Sequence, residues 1–454
     1  MIRIFNKETP KRILLTLAAT LCLFSTDCKD SSRHNKRGVD HLEKGEYDQA
    51  IVEFTKSLEV KPRVAEVHLR RGLAYDAKRE YNKAISDYTK AIEINPRDAD
   101  VYFYRADCYY EKGLYDLAVS DYTEAIKLNP PAADAYYNRG LVYHVKGEYN
   151  KAISDYSKTI ELSPKDAHAY LARGNTYEDK GEYEEAIADY TRSVELDPNY
   201  AEAYNNRGWL YYQSSEYDRA IADFTKTIER DPNLHKAFFN RGLAYTQKGL
   251  NTLAIVDFTT SINANPRSAL AYLKRGLAYV RKGQLDRAIS DFDKVVELDP
   301  RCAGAYYNRG KVYAEIGEYD LAISSYTKAI EIDPNSAISY FNRGISYFEM
   351  GQYNRAISDF SEAIKIKPED VDAYVNRGLA HLRKLELDQA IMDCNSAIAL
   401  NPKCAESYCN RAVAYRYKGD YDKAWEDVHK AQSLGTEINP EFLQELCEVS
   451  GREQ

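Results

Sequence analysis

Eleven prolines stand 34 residues apart, from Pro62 and Pro96 through Pro130, Pro164, Pro198, Pro232, Pro266, Pro300, Pro334 and Pro368 to Pro402, without a slip. A fixed period of that length means one supersecondary unit copied along the chain, each copy unable to bury its apolar face alone. The 454 residues therefore need not divide into the roughly three globular domains that length by itself predicts.

Other positions keep the same period. An alanine recurs in all twelve units, at Ala50, Ala84, Ala118 and on to Ala424, and an aromatic follows it by four residues in ten of them, as at Tyr88, Tyr122, Tyr156, Phe224, Phe258 and Phe360. Small and large residues at an i, i+4 step mark a helix packed closely on a neighbour. The first half of each unit carries an aromatic such as Tyr136, a glycine such as Gly140 and a tyrosine such as Tyr143 at helical spacing, and Gly147, Gly181, Gly249 and Gly317 then stop that helix as left-handed caps. The spacing predicts a second helix from about Tyr149 to Leu162. Pairs such as Asn95-Pro96 and Asp197-Pro198 turn the chain into the next unit.

This pattern of aromatic, Gly, Tyr, Ala, Phe or Tyr, Ala and Pro resembles the tetratricopeptide repeat over residues 31–438, in twelve units. The resemblance implies an all-α fold, a right-handed superhelical α-solenoid of helix-turn-helix repeats whose first helices line a concave groove. Departures are few: His34 and His41 hold aromatic slots, Ala106 and Ala412 replace the usual Gly, Leu385 replaces a turn Gly, and Thr436 stands where the twelfth proline would be. Residues 439–454 offer a last amphipathic helix from Pro440 to Val449, placed to cap the final hairpin.

Residues 1–30 read as an export signal. Arg3, Lys7, Lys11 and Arg12 precede an apolar run from Ile13 to Ser25, shorter than a bilayer span. Cys28 follows, and its position resembles the lipid-attachment site of bacterial lipoproteins, although Ser25, Thr26 and Asp27 depart from that motif. Lipid attachment at Cys28, plain cleavage and an uncleaved anchor are the three outcomes. The expected location is periplasmic or envelope-associated, with membrane attachment through the N-terminus, and cytoplasmic if the run is not a signal.

Arginine precedes the glycine by one step in every unit, from Arg37 and Arg71 to Arg411, and an acid recurs in the second helix in eleven of twelve, from Glu53 and Asp87 to Asp427, with Ser325 the gap. Two ladders of opposite sign on one period predict structural ion pairs between helices. Before that arginine stands asparagine in seven units: Asn138, Asn206, Asn240, Asn308, Asn342, Asn376 and Asn410. An amide donates and accepts, so such a row can grip a peptide backbone without reading side chains. It is similar to the asparagine ladders of some tetratricopeptide superhelices. The residue before it is often large and apolar, as Tyr137, Phe239, Tyr307 and Phe341, and an exposed row there would anchor a partner. Acids (Glu66, Asp100, Asp107, Asp134, Glu178, Glu202) lie toward the N-terminal half of this face and bases (Lys236, Lys274, Arg281, Lys311, Arg383, Arg416) toward the C-terminal half, so acidic segments are expected to prefer the latter. Of the chaperone-tail clamp known in some members, only Lys236, Asn240 and Lys274 are present as pieces.

The sequence carries no GxGxxG, GxxxxGK[ST], HExxH or GxSxG motif, and its eight histidines and eight cysteines follow no ligand spacing. A net charge of −8 argues against a phosphate backbone as partner. The expectation is a non-enzymatic scaffold without cofactor or metal, binding proteins or extended peptides and no nucleic acid. The alternatives are a substrate-recruiting subunit of an enzyme complex, a small-ligand carrier or an intracellular scaffold.

Overall fold

The computed structural model describes residues 26–451. These residues form 25 helices in tandem and no strand, as twelve hairpins and one closing helix. The proposed signal segment lies almost wholly outside the described residues. Cys28 falls in the first helix, Thr26–Glu43, but its side chain is not among those described. That helix starts ahead of residue 31, and its buried Ser31 shares a hydroxyl bond with Ser57 at 3.1 Å.

Each later hairpin repeats one design. In the sixth, the second helix Tyr217–Arg230 buries Ala220, Asp223, Phe224 and Thr227, one stripe at i, i+3, i+4 and i+7. The partner glycine explains itself by geometry: a Cβ on Gly242 would meet Phe258 Cε1 at 2.8 Å, and one on Gly72 would meet Tyr88 Cε1 at 2.5 Å. Ala412 stands in the same slot where the facing residue is the smaller Val428, and both are fully buried. The turn inside each hairpin needs a left-handed residue, supplied by Gly147 (φ 73°) and its counterparts, and by Arg79, Ser215 and Leu385 (φ about 60°) where glycine is missing. Glu148 N–H then reaches back to Tyr143 C=O at 2.8 Å, closing the helix end.

The described residues divide into two compact units, one ending at Asp231 and the other starting at Pro232. Within each unit every helix packs mainly on the helices that precede and follow it, and most successive first helices also touch one another, which successive second helices do less. The row of first helices is therefore the tighter, inner side of each unit.

The closing helix, Pro440–Ser450, packs Phe442, Leu443, Leu446 and Cys447 on Ala412, Trp425 and Val428 of the twelfth hairpin. Asn439 caps its start by accepting from Glu441 N–H at 2.8 Å, and Arg416 reaches Glu445 at 2.7 Å. Leu446 is fully buried. Leu446→Ala should cost about 2–4 kcal/mol locally, read as lost amide-exchange protection in residues 440–450 while the hairpins of residues 235–400 keep theirs.

Candidate peptide-binding face

The arginine ladder is structural. Ten arginines, from Arg71 to Arg411, each donate through Nε and Nη2 to both oxygens of the aspartate sixteen residues on, as Arg105 does to Asp121 at 2.7 and 2.9 Å. The Nη1 of Arg105 donates to Thr89 of the preceding second helix at 3.0 Å, so one guanidinium holds two second helices. Its plane lies between the rings of Tyr102 and Tyr109, 5.7 and 5.8 Å away, and the same pairing recurs along the chain. Much of the count of 40 tyrosines is spent here. Bonded through Nε, Nη1 and Nη2 and largely buried, these arginines serve the fold.

Two rungs are wired differently: in the first unit Glu53 bonds His34 and Lys56, each at 2.7 Å, and Arg37 stands exposed outside the ladder. Arg309 finds Ser325 at 3.2 Å where the ladder arginines find aspartate, and Asp293 takes the slot of the preceding threonine, pairing with Arg309 at 2.6 Å. The carboxylate has moved to the neighbouring hairpin, so the guanidinium stays neutralised.

The seven asparagines all lie half-buried on the first helices but act in different ways. Asn308, Asn342 and Asn376 turn Nδ2 onto their own helix, donating to the carbonyls of Gly304, Ile338 and Asp372 at 2.6, 2.8 and 2.8 Å. This leaves three Oδ1 acceptors in one orientation within the C-terminal unit. Asn138 and Asn206 instead donate sideways, to Asp107 at 3.1 Å and Asn175 at 2.9 Å on the preceding first helix. Their donors are used inside the protein. Asn240 also has a partner within the chain, and the Nδ2 of Asn410 is buried without one.

The apolar row is not the exposed set of anchors the sequence led us to expect. Tyr137, Phe239, Tyr307 and Phe341 are half-buried, each ring lying on the second-helix ring of its own hairpin: Tyr156 at 5.4 Å, Phe258 at 5.6 Å, Tyr326 at 5.9 Å and Phe360 at 5.8 Å. Their position one step before the asparagine turns them toward the hairpin interior. Leu171 and Val375, in the same row, are buried outright. In the first unit the asparagine slot holds Lys36, and Asn35, in the slot of the apolar row, accepts from Arg70 at 3.2 Å.

The remaining candidates resolve as packing. His68 is buried and bonds Asp87 and the Pro62 carbonyl at 3.0 and 2.9 Å, and His34 bonds Glu53 at 2.7 Å. The six described cysteines are free, so Cys404 and Cys409 are not bridged. Among the described residues no group of His, Cys, Asp or Glu could hold a metal, and no helix is long and apolar enough to cross a membrane.

Family models described as tetratricopeptide repeat or TPR repeat match the chain in an overlapping series across residues 65–234 and 273–434. The hairpin geometry and these matches define a repeat protein of the all-α solenoid class, built for protein–protein interaction. The chain belongs to the tetratricopeptide-repeat family. Among solved structures it is similar to MamA (31% identity over 38% of this chain and 96% of that one, TM-score 0.37). YrrB, described as a TPR protein with an unusual peptide-binding site, matches at 29% identity over 40% of this chain and 95% of that one, TM-score 0.36. The C-terminal part of a TPR repeat-containing protein from Cytophaga hutchinsonii matches at 22% identity over 52% and 97%, TM-score 0.46. No curated protein matches the chain.

Proposed function

We propose that this chain is an exported, non-catalytic adaptor that holds extended stretches of partner polypeptides on the first-helix faces of its repeats. The observation that carries this reading is the common pose of Asn308, Asn342 and Asn376. With each Nδ2 satisfied by its own helix, the three Oδ1 atoms recur at 34-residue intervals as acceptors for the N–H groups of an extended chain. Acceptors that serve backbone rather than side chains suit a scaffold with loose sequence demands.

The test replaces all three by Ala and measures, by fluorescence anisotropy, binding of a labelled twelve-residue peptide selected on this chain from a random display library. Three net hydrogen bonds of about 0.5–1.5 kcal/mol each predict a loss of roughly 10- to 1,000-fold in affinity with unchanged helicity by circular dichroism. Unchanged affinity contradicts the proposal. The export part rests on the basic and apolar residues 1–25, and N-terminal sequencing of the mature chain with cell fractionation checks it: a start at or after Cys28, or an intact Met1 in the envelope fraction, supports it, and an intact Met1 in the cytoplasmic fraction opposes it.

A further inference from the structure

The first helix of the third repeat, Ala99–Glu111, carries Asp100, Tyr104, Asp107 and Glu111 on one stripe at i, i+4, i+7 and i+11. Asp76, on the neighbouring first helix Ala65–Ala77, faces the same place, accepting from the Cys108 thiol at 3.5 Å. Among the described residues no lysine or arginine pairs with Asp76, Asp107 or Glu111, whereas the ladder aspartates one face away are each clamped by an arginine.

Asp107 has an internal control in the fifth repeat. There Asn175 accepts from Tyr190 Oη at 2.7 Å and from Asn206 Nδ2 at 2.9 Å. Asp107 accepts from Tyr122 Oη and from Asn138 Nδ2 in the same arrangement. A neutral amide therefore does the structural work of this slot, and the charge at position 107 is surplus to it. Burial, helped by the Asp76 and Glu111 charges against the Tyr122 bond, pushes the Asp107 carboxyl up to about 7. Burial also raises Asp76, with Glu111 adding to it. These carboxylates oppose one another and have no cation.

A second observation points the same way. The Tyr88 hydroxyl is fully buried and has no hydrogen-bond partner. Its counterparts Tyr122 and Tyr190 find Asp107 and Asn175, but the matching residue for Tyr88 is Leu73. The charges it feels are those of Asp76 and Asp107, and its ring lies on that of Tyr104 at 6.2 Å. The place thus holds unpaired carboxylates, an orphan phenol oxygen and an aromatic ring, a set that suits an ammonium or guanidinium group.

We infer that this face of the second and third repeats takes a lysine or arginine side chain from an extended segment of a partner polypeptide, with Asp76, Asp107 and Glu111 as its counter-charges. The inference rests on the reading of the first-helix faces as peptide-binding. A polypeptide rather than a free cation is the occupant because the acids continue along the unit: Glu66, Asp100 and Asp134 hold the same place in three successive first helices, and Glu202 resumes the row after His168. Packed helices lie roughly 8–10 Å apart and an extended chain advances about 3.3 Å per residue, so basic side chains three residues apart match the repeat. This adds a basic-segment site in the N-terminal unit to the expectation that acidic segments prefer the C-terminal one.

The experiment measures binding of a labelled nonapeptide with lysine at every third residue and serine between, and of its glutamate counterpart, to the full chain at pH 8 by fluorescence anisotropy. The lysine peptide should bind at least tenfold more tightly than the glutamate peptide. Asp76→Asn with Asp107→Asn should weaken the lysine peptide by at least tenfold. Glu161→Gln with Glu195→Gln, which removes two charges from second helices, should leave it within twofold. As pH falls through about 7 the affinity should drop as Asp107 takes up its proton; Asp76, Glu111, Cys108, Tyr88, Tyr122 and Asn138 are the polar groups around it. Equal binding of the two peptides, equal loss in both double variants, or retention by the Asp76/Asp107 variant overturns the inference. The library-selected peptide tests the broader reading separately, since its binding depends on Asn308, Asn342 and Asn376 and not on the two aspartates.

Discussion

Arg71→Met should destabilise the N-terminal unit by roughly 3–5 kcal/mol, as removal of one partner from a buried ion pair does. Arg71 donates to both oxygens of Asp87 at 2.8 Å and to Thr55 of the preceding hairpin at 2.9 Å, and the Asp87 side chain is only 3% exposed. Methionine would approximate the volume of the side chain but leave a carboxylate with His68 alone. The Asp87 bond in turn raises the Arg71 guanidinium above its ordinary value, and although burial opposes charge on Asp87, the bonds from Arg71 and His68 hold its carboxyl below the usual range. A depressed acid stabilises the fold above its unfolded pKa and loses that contribution as pH falls through its folded value. The wild-type contribution should therefore be intact at neutral pH and fade below about 4. Denaturant titrations of both proteins at pH 7 and pH 3 check this: the gap should be wide at the first and narrow at the second.

Asp107→Asn should do the opposite and stabilise the chain at pH 8, by about 2–4 kcal/mol. The sign follows from an acid whose folded value is raised, to about 7: the folded state is not penalised below the unfolded value near 4 and loses stability as pH rises toward and through 7. Asparagine keeps both bonds that Asp107 accepts, as Asn175 demonstrates in the fifth repeat. Thermal melts of the variant and the wild type should converge at pH 4 and separate at pH 8, with the variant higher. Convergence at both would mean that the carboxylate carries no burden. A residue that costs stability where a neutral relative would not is the pattern expected of a binding site.

The fold was legible in the sequence because each copy repeats the same demands. A 34-residue period in proline, alanine and the second-helix aromatic leaves one way to bury the apolar stripes, and the first-helix slot is kept small by contacts as close as 2.5 Å at Gly72, alanine taking it opposite Tyr122 and Val428. The arginine and aspartate ladders were legible too, since opposite charges on one period must meet. Face assignment was less so. One helical step separates Asn342 from Phe341, yet Phe341 lies on Phe360 while Asn342 bends back to Ile338. A row of large apolar residues beside a polar row looks the same in sequence whether it points at a partner or at its own hairpin. Periodicity also hid the exceptions. Arg309 keeps the ladder's letter but draws on Asp293 rather than on its own second helix, and Asp107 departs from the apolar residue of most units in a way whose consequence depends on burial.

The central claim is that the inner faces, lined by first helices, receive an extended polypeptide. Amide hydrogen exchange of the chain with and without the library-selected peptide tests it most directly. The account predicts new protection concentrated in the first helices Ala303–Glu315, Ala337–Glu349 and Val371–Arg383, with the second helices Tyr319–Ile332 and Tyr353–Ile366 unchanged. Protection that falls on the second helices instead, or on neither set, would contradict it.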